Sequence, residues 1–116
     1  MERIVVTRHP ALVELLIERG IISPNTPVIP HATEDDVRNK HVVGILPLHL
    51  AALAAFVTEV PLDLAPGDRG HELGIERLRE VACREVTYTV TRHESASALD
   101  DRAYVAAALA HYAFFG

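Results

Sequence analysis

Four short segments gather the residue types that bind phosphate and move protons: Thr7-Arg8-His9-Pro10, Leu46-Pro47-Leu48-His49, Asp68-Arg69-Gly70-His71-Glu72 and Thr91-Arg92-His93. Arginine presents a planar fork of donors that matches a phosphate. Histidine changes charge near neutral pH and so serves as a general acid or base. The tetrapeptide Val-Thr-Arg-His occurs twice, at residues 6–9 and 90–93. A repeat of that length is weak by itself, but both copies fall where a strand is expected to end. Arg8 stands just before Pro10, a residue suited to the first turn of a helix. The free N–H groups and dipole of a helix start favour an anion there.

Each of these residues has a plainer reading. An arginine at a strand end is often a solvated charge. A histidine on an apolar helix, as His49 is expected to be, is more often a satisfied core residue than a ligand. It nevertheless follows Pro47 by two residues, in a first helical turn that could face a site. Asp63 interrupts an apolar run and would pair with an arginine or orient one. Asp68 and Glu72 read as loop solvation and helix capping. His31, His41 and His111 read as structural or surface residues. No metal and no cofactor is expected, because the chain lacks HExxH, a paired-cysteine motif and closely spaced histidines. A Walker loop, GxGxxG and a serine nucleophile elbow are absent too.

These segments must be held by elements that the apolar pattern outlines. The β-branched run Arg3 to Thr7 predicts a buried first strand. A helix follows from Pro10 to about Arg19, with Gly20 as its stop. Val28 to His31 predicts a second strand near an edge, since prolines flank it. Thr33 and Asp36 can cap a helical turn. His41 to Ile45 predicts a third strand, and Pro47 opens an apolar helix from Leu48 to about Val57. A fourth strand is expected over Val60 to Leu64, then a loop at residues 65–70. A helical stripe follows in Ile75, Leu78, Val81 and Ala82. Glu85 to Arg92 alternates as a strand does. Asp100 or Asp101 caps a final helix ending near Phe115, which would form an interface or a cap.

Strand and helix alternate along most of the chain. The expected fold is therefore a Rossmann-like three-layer α/β fold, a mainly parallel sheet of about five strands with helices on both faces. Ligands in such sheets bind beyond the carboxyl ends of the strands, at a switch in strand order.

Composition bounds the function. The 116 residues suit one domain, and the 49% apolar content excludes disorder. The net charge of −5 argues against a broad basic face for duplex nucleic acid, but not against a small anionic ligand. The apolar run near the N-terminus is broken by Arg3, Arg8, His9 and Glu14, unlike a signal peptide. No uncharged apolar stretch is long enough to span a membrane. The lone Cys83 is expected to be a small buried hydrophobe, and a cytoplasmic location is expected with it.

Several segments recur here in a familiar order: Val-Thr-Arg-His-Pro at 6–10, Gly-Ile-Leu-Pro-Leu-His-Leu-Ala-Ala at 44–52, Leu62-Asp63-Leu64 and Arg69-Gly70-His71-Glu72-Leu73. Together, over Val5 to Val90, they resemble the sixteenth family of the CRISPR-associated Csx proteins, encoded beside type III CRISPR systems. The resemblance implies a domain related to the CARF sensor fold, working as a homodimer. It also implies a ring nuclease that linearises cyclic tetra-adenylate and so switches off type III CRISPR signalling in antiviral defense. The matching positions are Thr7, Arg8, His9, Pro10, Leu46, Pro47, Leu50, Asp63, Arg69, Gly70 and Glu72. The expected assignment makes Arg8, His9 and His49 catalytic and has Thr7, Pro47, Asp63, Arg69, Gly70 and Arg92 bind the ligand. Three rivals stand beside it, one being a structural or interaction protein whose apolar helices around residues 48–57 and 103–115 simply build a dimer. The same fold could bind the messenger as a sponge or sensor without cutting it. Thr-Arg-His after a first strand also resembles the start of the histidine phosphatases, but Pro10 replaces their usual glycine.

Overall fold

The structure, a computed structural model, describes residues 1–93 and 101–115. The expected fold class is borne out. Five strands, β1 (Arg3–Val6), β2 (Val28–Ile29), β3 (His41–Gly44), β4 (Phe56–Glu59) and β5 (Val86–Tyr88), form one sheet in the order β2-β1-β3-β4-β5. The first four strands are parallel, and β5 runs antiparallel on the edge beside β4.

The parallel strands are short and β-branched because helices cover both of their faces. On one face Val5 and Val43 pack with Leu16, Ile21 and Ile22 under helix α1 (Pro10–Glu18). On the other, Ile4 and Val42 pack with Val37 of α2 (Glu34–Val37) and Leu50 of α3 (Leu48–Ala51). Helix α4 (Ile75–Val81) lies against α1, and α5 (Asp101–Phe115) ends the chain.

Local chemistry sets the helix ends. Gly20 has φ +70°, and the N–H groups of Gly20 and Ile21 return to the carbonyls of Ile17 and Leu16, closing α1. Thr33 and Asp36 cap each other reciprocally at the start of α2. Those hydrogen bonds hold the Asp36 carboxyl below its ordinary range.

The segment 48–64 departs from expectation. Helix α3 is a single turn. The N–H groups of Leu53 and Ala54 tighten to the carbonyls of Leu50 and Ala51, and Ala55 then pairs with Lys40. Strand β4 therefore starts at Phe56, and Val60 to Leu64 is not the fourth strand but the chain beyond it, touching Ala82 by one bridge at Leu62. A short apolar run has no period that separates a buried helix from a buried strand. Here the β-branched and aromatic residues Phe56, Val57 and Thr58 decide it. Strands β2 and β5 are also shorter than expected. Cys83 is exposed rather than buried, because it lies past the end of α4. Asp100 lies outside the described residues, as does the side chain of His111. Among the described residues no helix is long and apolar enough to cross a membrane.

Candidate functional site

The order β2-β1-β3-β4 means that the chain leaves β1 toward one side and returns to the other. The resulting crevice lies between the carboxyl ends of β1 and β3, as open α/β sheets require. A cavity of about 730 Å³ opens there. It is lined by the residues that end or follow three parallel strands: Val6 to His9 after β1, Gly44 and Ile45 after β3, and Glu59 to Leu62 after β4.

Gly44 lines the crevice. It has φ +137°, and a Cβ built there would sit 2.3 Å from the carbonyl oxygen of Val6. Only glycine lets the ends of β1 and β3 approach this closely where Val6 pairs with Gly44.

Thr7, Arg8 and His9 stand together at the mouth. The Thr7 hydroxyl accepts the His9 N–H at 3.2 Å, which fixes the bend from strand to helix. The His9 carbonyl then accepts from Leu12 and starts α1. Arg8 is exposed, and its Nη2 lies 3.4 Å from Nδ1 of His31. His9 Nδ1 lies 3.9 Å from the Glu72 carboxylate.

A second cavity, about 230 Å³, shares His9, Leu12, Leu62 and Leu64 with the first. Arg69, Gly70, His71 and Glu72 line it from the loop after a 3-10 turn at Pro66–Asp68. That loop is anchored by Asp68, which accepts from Arg77 Nε and Nη2 at 2.9 and 2.7 Å and from the Ala65 N–H at 2.8 Å. The Arg77 guanidinium, then the Ala65 N–H, pull the Asp68 carboxyl down to about 2, so it stays ionised through the neutral range. Asp68 thus holds the loop in place, a firmer role than the expected loop solvation. His9 lies where the two cavities meet.

Five expected site residues therefore converge: Thr7, Arg8, His9, Arg69 and Gly70. Four do not. Pro47 and His49 are exposed and line neither of these two cavities. The reason is the position of α3: its buried face is Leu50 and Ala51, which leaves His49 outside both the core and the crevice. Asp63 is exposed, outside any strand, with no side-chain partner among the described residues; its backbone N–H binds the Val81 carbonyl. Arg92 follows an antiparallel strand, so it leaves the sheet at the end opposite the crevice. The two Val-Thr-Arg-His copies consequently point the chain to opposite ends of the sheet.

Sequence reasoning passed over three residues. His31 touches Arg8 from beyond β2, and Glu59 and Gly44 line the first cavity. For His31 a signal existed: it follows a parallel strand, as Arg8 does. Among the described residues no three histidine, cysteine, aspartate or glutamate side chains gather closely enough to hold a metal ion.

No curated protein and no solved structure matches the chain. One family does match, over residues 4–91, and it is the one described as "Putative CRISPR-associated protein (Cas_VVA1548)". The matched span runs from β1 through β5 and includes the whole crevice, and the chain belongs to this CRISPR-associated family.

Proposed function

We propose that the protein is a metal-independent ring nuclease that binds and linearises a cyclic oligoadenylate, with cyclic tetra-adenylate as the first substrate to test. The observation that carries this reading is the convergence of Thr7, Arg8 and His9 on a cavity at the strand-order switch, continuous with the cavity lined by Arg69 and Gly70. The Csx resemblance supplies the substrate, and membership in a CRISPR-associated family agrees with that source.

Cyclic oligoadenylates carry a 2′-hydroxyl beside every phosphate. Arg8 binds the phosphate and balances the charge that builds on it, an effect worth roughly 3–4 kcal/mol for one well-placed donor. His9 takes the proton of the 2′-hydroxyl as its oxygen attacks phosphorus. The 5′-oxygen leaves, and the product is a linear adenylate with a 2′,3′-cyclic phosphate. Holding the attacking and leaving oxygens in line supplies several kcal/mol more. Arg69 and the backbone at Gly70 hold the adjoining nucleotide.

A cavity of about 730 Å³ falls within the size range of small-ligand sites. A two-fold homodimer would present two such cavities to a symmetric ligand. The exposed apolar side chains Val105 and Leu109 of α5 supply surface for such an interface.

The decisive experiment incubates protein with excess cyclic tetra-adenylate and EDTA and follows products by liquid chromatography and mass spectrometry. Many turnovers to linear adenylates are expected. Intact ligand that co-elutes with the protein would make it a sponge or sensor. Absence of binding would overturn the reading.

A further inference from the structure

Cleavage by a 2′-hydroxyl needs two proton transfers, one from the nucleophile and one to the departing 5′-oxygen. His9 accounts for the first. We infer that His31 is the second acid–base residue of the site, protonating the leaving oxygen; this rests on the ring-nuclease reading above.

Position is the first argument. His31 stands just beyond β2, the strand neighbouring β1, and its ring reaches Arg8, the phosphate anchor. Its chain neighbour Pro30 lines the large cavity. Arg8 is thereby flanked by two histidines, His9 along the chain and His31 across the sheet. The anchor for a phosphate thus has one histidine next to it in the chain and another in hydrogen-bond contact, the two groups that a displacement needs as base and acid.

The hydrogen bond itself is the second argument. Arginine has donors only, so in the Arg8–His31 contact Nδ1 of His31 must accept. An accepting Nδ1 leaves the ring N–H on Nε2. A phosphate that takes the Arg8 N–H removes that partner and sets an anionic oxygen beside the His31 lone pair. Protonation relieves the repulsion and gives His31 a proton to donate. Binding of the substrate thus loads the acid. Arg8 is the charged group that meets the His31 ring, while the Glu72 carboxylate lies against His9 instead.

The full step balances. The 2′-hydroxyl proton goes to His9, the 2′-oxygen–phosphorus bond forms, the phosphorus–5′-oxygen bond breaks, and His31 gives its proton to the 5′-oxygen. The two histidines then exchange protons with water.

The test compares wild type with His31→Gln, whose amide oxygen can still accept from Arg8 but which cannot act as an acid. Single-turnover rates are measured from pH 5 to 9 on cyclic tetra-adenylate and on the same ring with sulfur replacing one bridging 5′-oxygen. A thiolate leaves without protonation. The wild-type rate should fall on the alkaline side, as a required acid loses its proton. H31Q should bind the ring within about threefold of wild type, cleave the oxygen ring about 100-fold or more slowly, lose the alkaline limb, and recover on the sulfur linkage. An H31Q rate within threefold of wild type would overturn the inference and leave the ring-nuclease reading intact. So would a slow H31Q that sulfur does not rescue. A wild-type protein that never cleaves the ring would overturn both.

Discussion

Arg8 is bound to the fold through few contacts, yet its position is tightly set. The Thr7 hydroxyl fixes the bend before it, Pro10 fixes the helix after it, and His31 holds its head. A hydrogen bond to a charged group contributes about 1.5–3 kcal/mol, so Arg8→Ala should weaken cyclic tetra-adenylate binding roughly 10- to 100-fold. Arg8→Lys should recover only part of this, because lysine keeps the charge and loses the fork. Isothermal titration of the three proteins checks both statements; a lysine variant equal to wild type would mean that charge alone matters at this position. At this scale the sequence was legible where a residue's role depends on its immediate neighbours, as for Thr7, Arg8 and His9. It misled at His49 and Asp63, whose roles depend on where a whole element stops.

Among the elements, β3 carries a titrating group away from the crevice. His41 Nε2 meets the Thr58 hydroxyl at 2.6 Å, and Thr58 meets Thr87 at 2.7 Å, tying β3, β4 and β5 together. Burial, and then the charge of Arg3, lower the His41 pKa from its ordinary 6.5. The unfolded chain therefore binds this proton more readily than the folded one, and stability rises with pH across that window. The melting temperature should be level above about pH 6.5 and fall as the pH drops below it. His41→Gln should flatten that part of the curve; a variant that keeps the full slope would place its origin elsewhere. The elements themselves were partly readable. Pro10, Gly20 and the Thr33–Asp36 pair announce their helix ends because capping is local. The boundary between α3 and β4 is not local. It is set when Ala55 pairs with Lys40, fifteen positions earlier, and no window of the sequence contains both partners in one pattern.

For the whole molecule, the radius of gyration is 16.6 Å, against roughly 13 Å for a compact chain of this length. The final helix exposes Val105 and Leu109, and Ile45 and Leu48 are more than three-quarters exposed beside the crevice. Exposed apolar surface of this kind favours a partner, and a second copy is the partner that the proposed ligand's symmetry calls for. Sedimentation should find a dimer, and Val105→Asp combined with Leu109→Asp should shift it toward monomer; a wild type that stays monomeric at high concentration would remove α5 from this role. The sequence by itself determined the alternation of strand and helix, hence the parallel sheet and the rule that chemistry gathers after strand ends. It also marked Thr7, Arg8, His9, Arg69 and Gly70. Only the tertiary structure decided the strand order, and with it which strand ends share a crevice. The antiparallel direction of β5 takes Arg92 to the far end of the sheet, while the pairing of β1 with β2 brings His31 to Arg8. Side-chain type and spacing are properties of neighbours along the chain, whereas strand order and direction arise from contacts between residues far apart in it.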